Sequence, residues 1–316
     1  MKKLFTLLAF TVSFIMNSQV STHSTSNGGL RSSAIGAWSN AAADYSFASG
    51  RATTASGYGS TVFGRNSTSG GDYSTAMGYN TVASGAYSTA MGYQSTASGG
   101  YSKAIGYEST ASGTRSFAGG LQTVASGGGS FAFHSGTIAS GTNSTALGRV
   151  TVASDYASVV IGQYNSSGSS ATSADSFSTS APAFVIGNGT ASNAKSDAFK
   201  VMFNGDTTVS NDLTVSGDVN ISSDARLKSN IVSLGSTLTK LLQIDGKSYE
   251  MKGKQKIGVL AQEIQEVFPE LVSEDDNEML AVNYQGLVPV LINALKEQND
   301  KINRLENLVE QLILKN

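Results

Sequence analysis

The chain has 316 residues with 35 glycines and only 3 prolines, and its charged residues are unevenly placed, with 19 in residues 1–222 and 25 in residues 223–316. This uneven charge indicates two different kinds of domain. The lack of cysteine and the presence of only two histidines exclude disulfides, thiolate metal sites, cysteine nucleophiles and a multi-histidine metal centre, while a net charge of −2 without an extended basic run argues against a nucleic-acid partner.

The N-terminus has the layout of a secretory signal peptide. Two lysines precede an apolar stretch over residues 4–16, and polar residues begin at Asn17. A membrane-spanning helix needs about 20 apolar residues, more than this stretch or any later one supplies. We therefore expect residues 1–19 to be a signal peptide followed by a linker at residues 20–30, and we expect the mature protein to be secreted or exposed at the cell surface.

Residues 31–165 carry glycine along two interleaved tracks, each with a period of 14 residues and offset from the other by seven. The first track starts at Gly36 and the second at Gly57, and His134 and Asp155 each stand where a glycine is due. A fixed period predicts a stacked repeat architecture, and its strict phase argues against disorder. Because glycine adopts positive φ without strain, each repeat should contain two short strands and two glycine corners. A lone histidine is more often a tolerated irregularity than a ligand contact.

Two adjacent columns of the repeat point to opposite sides of the expected strand, since side chains alternate along a strand. One column is alanine, small enough for the inside of a thin coil: Ala34, Ala48, Ala76, Ala90, Ala104, Ala118, Ala132 and Ala146. The next column is mostly large and apolar: Ile35, Phe63, Met77, Met91, Ile105, Phe133, Leu147 and Ile161. A single coil cannot hide both columns, and a long exposed apolar stripe would be sticky on a monomer. The pattern therefore predicts a homo-oligomer.

Tyrosines form two further ladders with the same period: Tyr73, Tyr87 and Tyr101, and Tyr79, Tyr93 and Tyr107. They could line a strip that binds a glycan. Stacked aromatic rings also stabilise a solenoid by packing alone, and we favour this second interpretation.

The repeats share a nearly constant sequence. The units read Tyr-Ser-Thr-Ala-Met-Gly at residues 73–78 and again at residues 87–92, each followed by a half that ends in Ala-Ser-Gly. Over about residues 31–165 this repeat sequence resembles the head of trimeric autotransporter adhesins, whose repeats read Ser-x-Ala-Ile-Gly. The resemblance implies a mostly β chain whose head is a left-handed parallel β-roll of 14-residue repeats in a homotrimer.

Residues 166–222 lose the repeat and should form a β connector. Phe-Val-Ile-Gly-Asn-Gly at residues 184–189 and Phe-Lys-Val-Met-Phe-Asn-Gly-Asp at residues 199–206 are strand-then-turn signals. Residues 207–221 alternate apolar and polar side chains. We find no catalytic constellation in this segment.

In residues 223–316 the sequence becomes rich in charged and helix-forming residues. The pattern predicts, in order, a helix around residues 238–244, strands at 247–251 and 257–260, a helix at 261–268 stopped by a proline, and a hairpin of 271–273 with 279–282. A final helix over residues 286–316 carries a seam whose members step alternately by four and three. This is the heptad pattern of a coiled coil: Leu291, Leu295, Gln298, Ile302, Leu305, Val309 and Leu312.

The number of chains in this coiled coil is open on packing rules alone. β-branched residues at one core position with leucine at the other favour two strands. We favour three, because the adhesin resemblance concerns the whole assembly and the seam is short and includes the polar Gln298.

Four motifs mark this C-terminal segment: Ser223-Asp224-x-Arg226-Leu227-Lys228-x-Asn230-Ile231, Ile-Gly-Val-Leu-Ala-Gln-Glu at residues 257–263, Phe-Pro-Glu-Leu-Val at residues 268–272 and Val-x-Tyr-x-x-Leu-Val-Pro at residues 282–289. In them the segment resembles the intramolecular chaperone and self-cleaving peptidase domain of phage endosialidase tailspikes. The resemblance implies a small α/β domain that trimerises the chain, helps a β-rich fibre to fold and then severs itself, with no cofactor or metal. It makes Ser223 the nucleophile that attacks the bond between Ser222 and Ser223, and Lys228 the base, with Asp224, Arg226 and Asn230 supporting the motif.

A serine and lysine pair needs a particular environment to act. A serine hydroxyl is a poor nucleophile until a base takes its proton, and a lysine serves as the base only when desolvation lowers its pKa. Burial at a trimer interface would supply that desolvation and couple cleavage to assembly. On a regular helix the two side chains would lie roughly 140° apart, so Ser223 must lie outside the helix or Lys228 must come from a neighbouring chain. In the alternative interpretation Ser223 caps a helix that starts at Asp224, and Lys228 is solvated.

The sequence therefore supports two hypotheses. In the first, the protein is a secreted, trimeric, adhesin-like fibre whose C-terminal domain is a folding chaperone and a single-turnover, self-cleaving serine endopeptidase with no external substrate. In the second, it is a structural adhesin that keeps this domain as a permanent trimerisation module. The expected partners are further copies of the chain and a ligand on a host or environmental surface, such as a glycan or matrix, and a phage-derived fibre is the less favoured origin. A glycan-degrading spike has little support, because Glu108 is the only glutamate in the rod.

Overall fold

The computed structural model describes residues 25–275 and 278–315, so the predicted signal peptide lies outside the described residues. The chain divides into two units between Ser216 and Gly217. The first unit is a β-solenoid of stacked coils, and the second is a small unit that ends in a long helix. The predicted fold class, a mostly β chain of 14-residue repeats followed by a small domain with a C-terminal helix, is confirmed. In the described part of the chain, no helix is long and apolar enough to cross a membrane.

Each coil of the solenoid contributes one five-residue strand and one two-residue strand, and each kind forms its own parallel sheet. The five-residue strands are Ser33–Ala37, Phe47–Arg51, Thr61–Arg65, Thr75–Tyr79, Thr89–Tyr93, Lys103–Tyr107, Phe117–Leu121, Phe131–Ser135, Thr145–Arg149 and Val159–Gln163. The two-residue strands are Ser26–Asn27, Asn40–Ala41, Thr54–Ala55, Thr68–Ser69, Val82–Ala83, Thr96–Ala97, Thr110–Ala111, Val124–Ala125, Ile138–Ala139 and Val152–Ala153. Ala76 pairs with Ala90 and Ala90 with Ala104, so the sequence period is also the stacking period.

Two columns of alanine line the inside of the solenoid. The predicted column, which includes Ala76 and Ala90, is buried as expected. A second column lies in the two-residue strands and includes Ala83 and Ala97, both fully buried. The large apolar column faces outward, and its most exposed members are Phe63, Met77, Ile105 and Phe133. Methyl groups therefore line part of the interior, and the bulky side chains remain at the surface of the single chain.

Hydroxyl groups fill the remaining interior positions. They form two buried columns: Ser46, Ser60, Ser74, Ser88, Ser102, Ser116, Ser130, Ser144 and Ser158, and Ser39, Thr53, Ser67, Thr81, Ser95, Ser109, Thr123, Thr137 and Thr151. Some donate to backbone carbonyls, as Ser74 Oγ does to Gly71 at 2.6 Å and Ser95 Oγ to Gly106 at 2.9 Å. Such bonds satisfy buried polar groups that would otherwise be costly to desolvate.

The two glycine tracks exist for different physical reasons, and the expectation that both supply positive-φ corners is wrong. First-track glycines do have positive φ, for example 132° at Gly78, but they lie inside the five-residue strands. Second-track glycines such as Gly85 lack positive φ and are required for space, because a Cβ on Gly85 would lie 2.1 Å from the carbonyl oxygen of Gly99 in the next coil. The left-handed corners are made mostly by other residues, among them Tyr73, Asn80, Tyr87 and Gln94, whose φ lies between 52° and 58°.

Replacing Gly85 with alanine should therefore destabilise the rod through overpacking rather than backbone strain. We expect the free energy of unfolding to fall by about 3 kcal/mol, since parallel coils must separate to admit the methyl group. Gly128→Ala is the matched control, because a Cβ there meets nothing within 4 Å, and it should change stability by less than about 0.5 kcal/mol. Urea denaturation followed by circular dichroism measures both. Equal stability of the two variants would contradict the close-approach explanation.

The last coil of the solenoid is tied to a cap. Asp155, in the second glycine track, is fully buried, and its Oδ1 accepts the backbone N–H groups of Thr172 and Ser173 at 2.6 and 2.7 Å. The long-strand sheet then continues with one parallel and two antiparallel strands: Pro182–Asn188, Asp197–Met202 and Thr207–Val209. The departure from glycine at residue 155 thus coincides with the end of coil stacking.

The second unit packs around a cluster formed by Ile264, Phe268, Leu271 and Val290. Its helices are α1 (Leu238–Leu241), α2 (Ala261–Val267) and α3 (Leu287–Lys315). Its hairpins pair Lys247–Met251 with Lys254–Gly258 and Val272–Glu274 with Leu280–Val282. Three short 3₁₀ helices complete it: Ala225–Leu227, Pro269–Leu271 and Tyr284–Gly286.

One predicted strand is displaced. The strand expected at residues 257–260 lies at Lys254–Gly258, because Lys252 and Gly253 form a turn with φ of 52° and 75° that pairs Met251 with Lys254. Two consecutive residues with positive φ are typical of a tight hairpin turn. The hairpin therefore begins earlier than the apolar residues alone indicate.

Candidate active site

The segment that carries the serine and lysine motif is a short 3₁₀ turn between extended residues. Asp224 is the residue that caps this turn, and its Oδ1 accepts the backbone N–H of Arg226 at 2.8 Å. The Arg226 guanidinium also lies 2.6 Å from Asp224 Oδ2. These hydrogen bonds from the Arg226 side chain and backbone hold the pKa of the Asp224 carboxyl below its ordinary value. The interpretation of Ser223 as the cap is therefore wrong, and the Ser223 side chain is left for another contact.

Ser223 and Lys228 meet within one chain. Lys228 Nζ donates a hydrogen bond to Ser223 Oγ at 2.7 Å. The contact forms because the turn spans only Ala225–Leu227 and Lys228 returns to extended backbone, with φ of −119° and ψ of 144°. Ser223 lies outside the helical turn, which was one of the two arrangements that the spacing permits.

The pair is open to solvent in a single chain. Every residue from 217 to 236 is exposed, including Ser222, Ser223 and Lys228. The apolar motif residues are exposed as well, with Leu227 at 72% and Ile231 at 67%. The desolvation that a lysine base requires is therefore not provided by the chain's own fold.

Asn230 lies two residues beyond Lys228, and its backbone has a φ of 52°. Asparagine adopts this left-handed conformation more readily than most residues. The position of Asn230 in the motif is thus explained by a backbone bend rather than by a contact with Ser223 or Lys228.

The seam residues of the predicted coiled coil all lie on α3. They are exposed along its length, with Leu295 at 65% and Leu305 at 61%. A neighbouring face of α3 packs against the rest of the second unit. Val290 and Ala294 are buried on this face, and α1 packs on α3. Beyond Glu297, every one of the described residues 298–315 of the helix is exposed. The seam residues are therefore exposed along α3 in the single chain.

The tyrosine ladders of the rod are stacked. Ring centroids are 5.2 Å apart for Tyr73 and Tyr87, 4.9 Å for Tyr87 and Tyr101, and 4.8 Å for Tyr93 and Tyr107, with planes within 13° of parallel. Each inner ring thus has both faces covered by its neighbours. A sugar that stacks on an aromatic ring needs a free face, so this geometry favours the packing interpretation.

His134 gives no sign of a ligand site. It is exposed, its φ is 99°, and its ring lies edge-on to Phe133 at a centroid distance of 4.7 Å. Within the described ranges, no three histidine, aspartate or glutamate side chains group closely enough to hold a metal ion. The site at Ser223 consists of a hydroxyl, an amine and a supporting ion pair.

Comparison with known families assigns both parts of the chain. Residues 28–53, 55–81, 83–109, 101–123 and 139–165 match the family model described as YadA head domain repeat (2 copies). Residues 223–273, which include the Ser223 motif, match the family model described as chaperone of endosialidase. No curated protein matches the chain.

The class of protein follows from these matches. The chain carries adhesin-type head repeats followed by a chaperone domain of the endosialidase type, as the sequence resemblances indicated. It is thus an adhesin-like protein with a chaperone domain.

Proposed function

We propose that the protein is a secreted or surface-exposed homotrimeric fibre whose C-terminal domain, residues 223–316, assembles the chains and then cuts itself off before Ser223. The observation that carries the proposal is the 2.7 Å hydrogen bond between Lys228 Nζ and Ser223 Oγ. The match of residues 223–273 to the endosialidase chaperone model supports the same assignment.

The chemistry can be written from these two side chains. The neutral amine of Lys228 takes the Ser223 hydroxyl proton while Oγ bonds to the carbonyl carbon of Ser222, closing a five-membered ring. The bond from that carbon to the Ser223 nitrogen then breaks, and Lys228 returns the proton to the leaving nitrogen, which becomes the α-amine of Ser223. Water hydrolyses the resulting ester, leaving a carboxylate on Ser222 and a hydroxyl on Ser223. No cofactor or metal is needed.

Assembly supplies the missing desolvation in this proposal. Three exposed seams that pair along α3 would bring three exposed cleavage segments together. Burial disfavours a charged lysine and so favours the neutral amine that acts as base. Cleavage therefore waits until the chains have associated.

A chaperone role suits the rod. Its coils pair only with neighbours 14 residues away, but three chains must also bring their outward apolar columns into register. Such non-local alignment is slow and leaves strand edges exposed to aggregation. A helical seam that forms first would fix the number and register of chains.

Expression of the full chain tests the proposal directly. We expect a trimer by light scattering and, on a denaturing gel, two fragments, the smaller of which begins at Ser223 by N-terminal sequencing. A trimer that stays whole would instead support a permanent trimerisation module, a role consistent with the solvent exposure of Ser223 and Lys228 in the single chain. A monomer would contradict both functions.

A further inference from the structure

The cleavage segment is attached to the second unit at one place. The hydrogen bonds that the structure gives to residues 223–235 are internal, such as those of the 3₁₀ turn, and every one of these residues is exposed. The first buried residue after them is Thr237, which is 2% exposed. The position of Ser223 and Lys228 relative to the rest of the unit is therefore set by what holds residues 236–238.

Glu297 is the residue that holds this point. Its Oε2 accepts the Ser236 hydroxyl at 2.7 Å, and its Oε1 accepts the backbone N–H groups of Thr237 and of Leu238, the latter at 3.2 Å. The Thr237 hydroxyl also donates to the backbone carbonyl of Val290 at 3.1 Å. Four groups of residues 236–238 thus bond to α3. We call this arrangement the Glu297 clasp.

Electrostatics agree with a persistent clasp. The hydrogen bond from Ser236, followed by that from the Thr237 backbone, holds the pKa of the Glu297 carboxyl below its ordinary value. The side chain is therefore an anion at neutral pH and accepts all of these donors at once.

The clasp lies on the helix that carries the seam. Glu297 shares a face with the buried Val290 and Ala294, seven and three residues earlier, whereas Leu295 and Gln298 of the seam occupy the adjacent face. One helix thus binds the cleavage segment on one side and offers a surface to other chains on the next side.

We infer that Glu297 is a positioning residue for the self-cleavage proposed above: it fastens the segment that bears Ser223 and Lys228 to the assembling helix. The inference rests on that proposed function. Lys228 is eight residues from Ser236, so the clasp keeps the reacting pair within about 28 Å of α3. Partner chains that join at the seam are then within reach of the pair that they must desolvate.

Loss of the clasp lengthens this tether. Without Glu297, the α1 turn loses the partner of its first N–H groups, and the next residue packed on the apolar cluster is Leu241, which is 13 residues from Lys228. Effective concentration falls with about the −3/2 power of tether length, so lengthening the tether from 8 to 13 residues should slow cleavage about twofold.

Three variants of the full chain test the inference. Glu297→Ala should remain trimeric and cleave about twofold more slowly than the wild type. Glu297→Gln keeps an oxygen acceptor of the same shape and should cleave faster than Glu297→Ala, at close to the wild-type rate, which a loss of general stability would not predict. Glu306→Gln alters an exposed carboxylate on the same helix and should leave the rate unchanged. Wild-type cleavage by Glu297→Ala would overturn the inference.

A second measurement separates this inference from the proposed function. Because the chain has no cysteine, a nitroxide can be placed at Ile231→Cys in uncleaved Ser223→Ala protein. Glu297→Ala should raise the label's mobility and broaden its distance distribution between chains, and Ser236→Ala, which removes one donor, should do so less. Unchanged spectra would overturn the clasp even if the wild-type chain cleaves normally. If the spectra change but the wild-type chain does not cleave, only the proposed peptidase activity is refuted.

Discussion

Ser223→Ala is expected to abolish the fragment that begins at residue 223, because the alanine methyl group cannot attack the carbonyl carbon of Ser222. Lys228→Arg should slow cleavage by about 10² to 10⁴-fold, the usual contribution of a general base. Arginine keeps the positive charge and can still donate to Ser223, but it does not give up its proton at accessible pH. The two rates are measured from gel band intensities after purification of the uncleaved chain.

The control for these variants is Ser229→Ala. It removes a neighbouring exposed hydroxyl and leaves both Ser223 and Lys228 in place, so it should cleave at the wild-type rate. A fragment of unchanged mass from Ser223→Ala would place the nucleophile elsewhere. Full activity in Lys228→Arg would show that the 2.7 Å contact orients the serine without accepting its proton.

Ile302→Asp should dissociate the trimer and stop cleavage with it. Ile302 is a seam residue that is 45% exposed in the single chain, and association would bury three carboxylates against one another. Burying carboxylates that repel one another costs free energy, and this cost opposes the association of the three helices. Light scattering should therefore give the mass of a single chain, and the gel should show an uncut polypeptide.

Asn303→Asp adds the same charge one residue along the helix, outside the seam. This control should remain trimeric and cleave normally. A monomeric Ile302→Asp protein that still cuts itself would refute the coupling between assembly and chemistry. A trimeric one would mean that the outward apolar column of the rod is sufficient to hold the chains together.

The sequence predicts the rod well because glycine and alanine recur with the same 14-residue period as the stacked coils. Ala76 and Ala90 could be placed inside because small residues recur at the same position of every coil. The hydroxyl columns were missed, since serine and threonine are more often exposed than buried. The role of Gly85 was missed for a related reason: a contact with Gly99 in the next coil depends on the stacking distance, which no single repeat reveals.

The candidate site was predictable in its residue types but not in its local geometry. A spacing of five residues does not bring two side chains together on a regular helix. Ser223 and Lys228 meet because Asp224 takes the capping position and the turn ends after Leu227. Glu297 could not be found from periodicity, because it lies beside the seam and acts on residues about 60 positions earlier.

Because successive coils pair residue for residue, the number of 14-residue blocks sets the length of the rod. A block of 14 residues inserted between Gly57 and Gly127 would meet the same neighbours above and below as the block that it displaces. Each added block would extend the rod by about 4.8 Å, while the Asp155 cap and the C-terminal helix would stay unaltered. Chains that differ only in the number of blocks would therefore hold the Asp155 cap at different distances from the first coil.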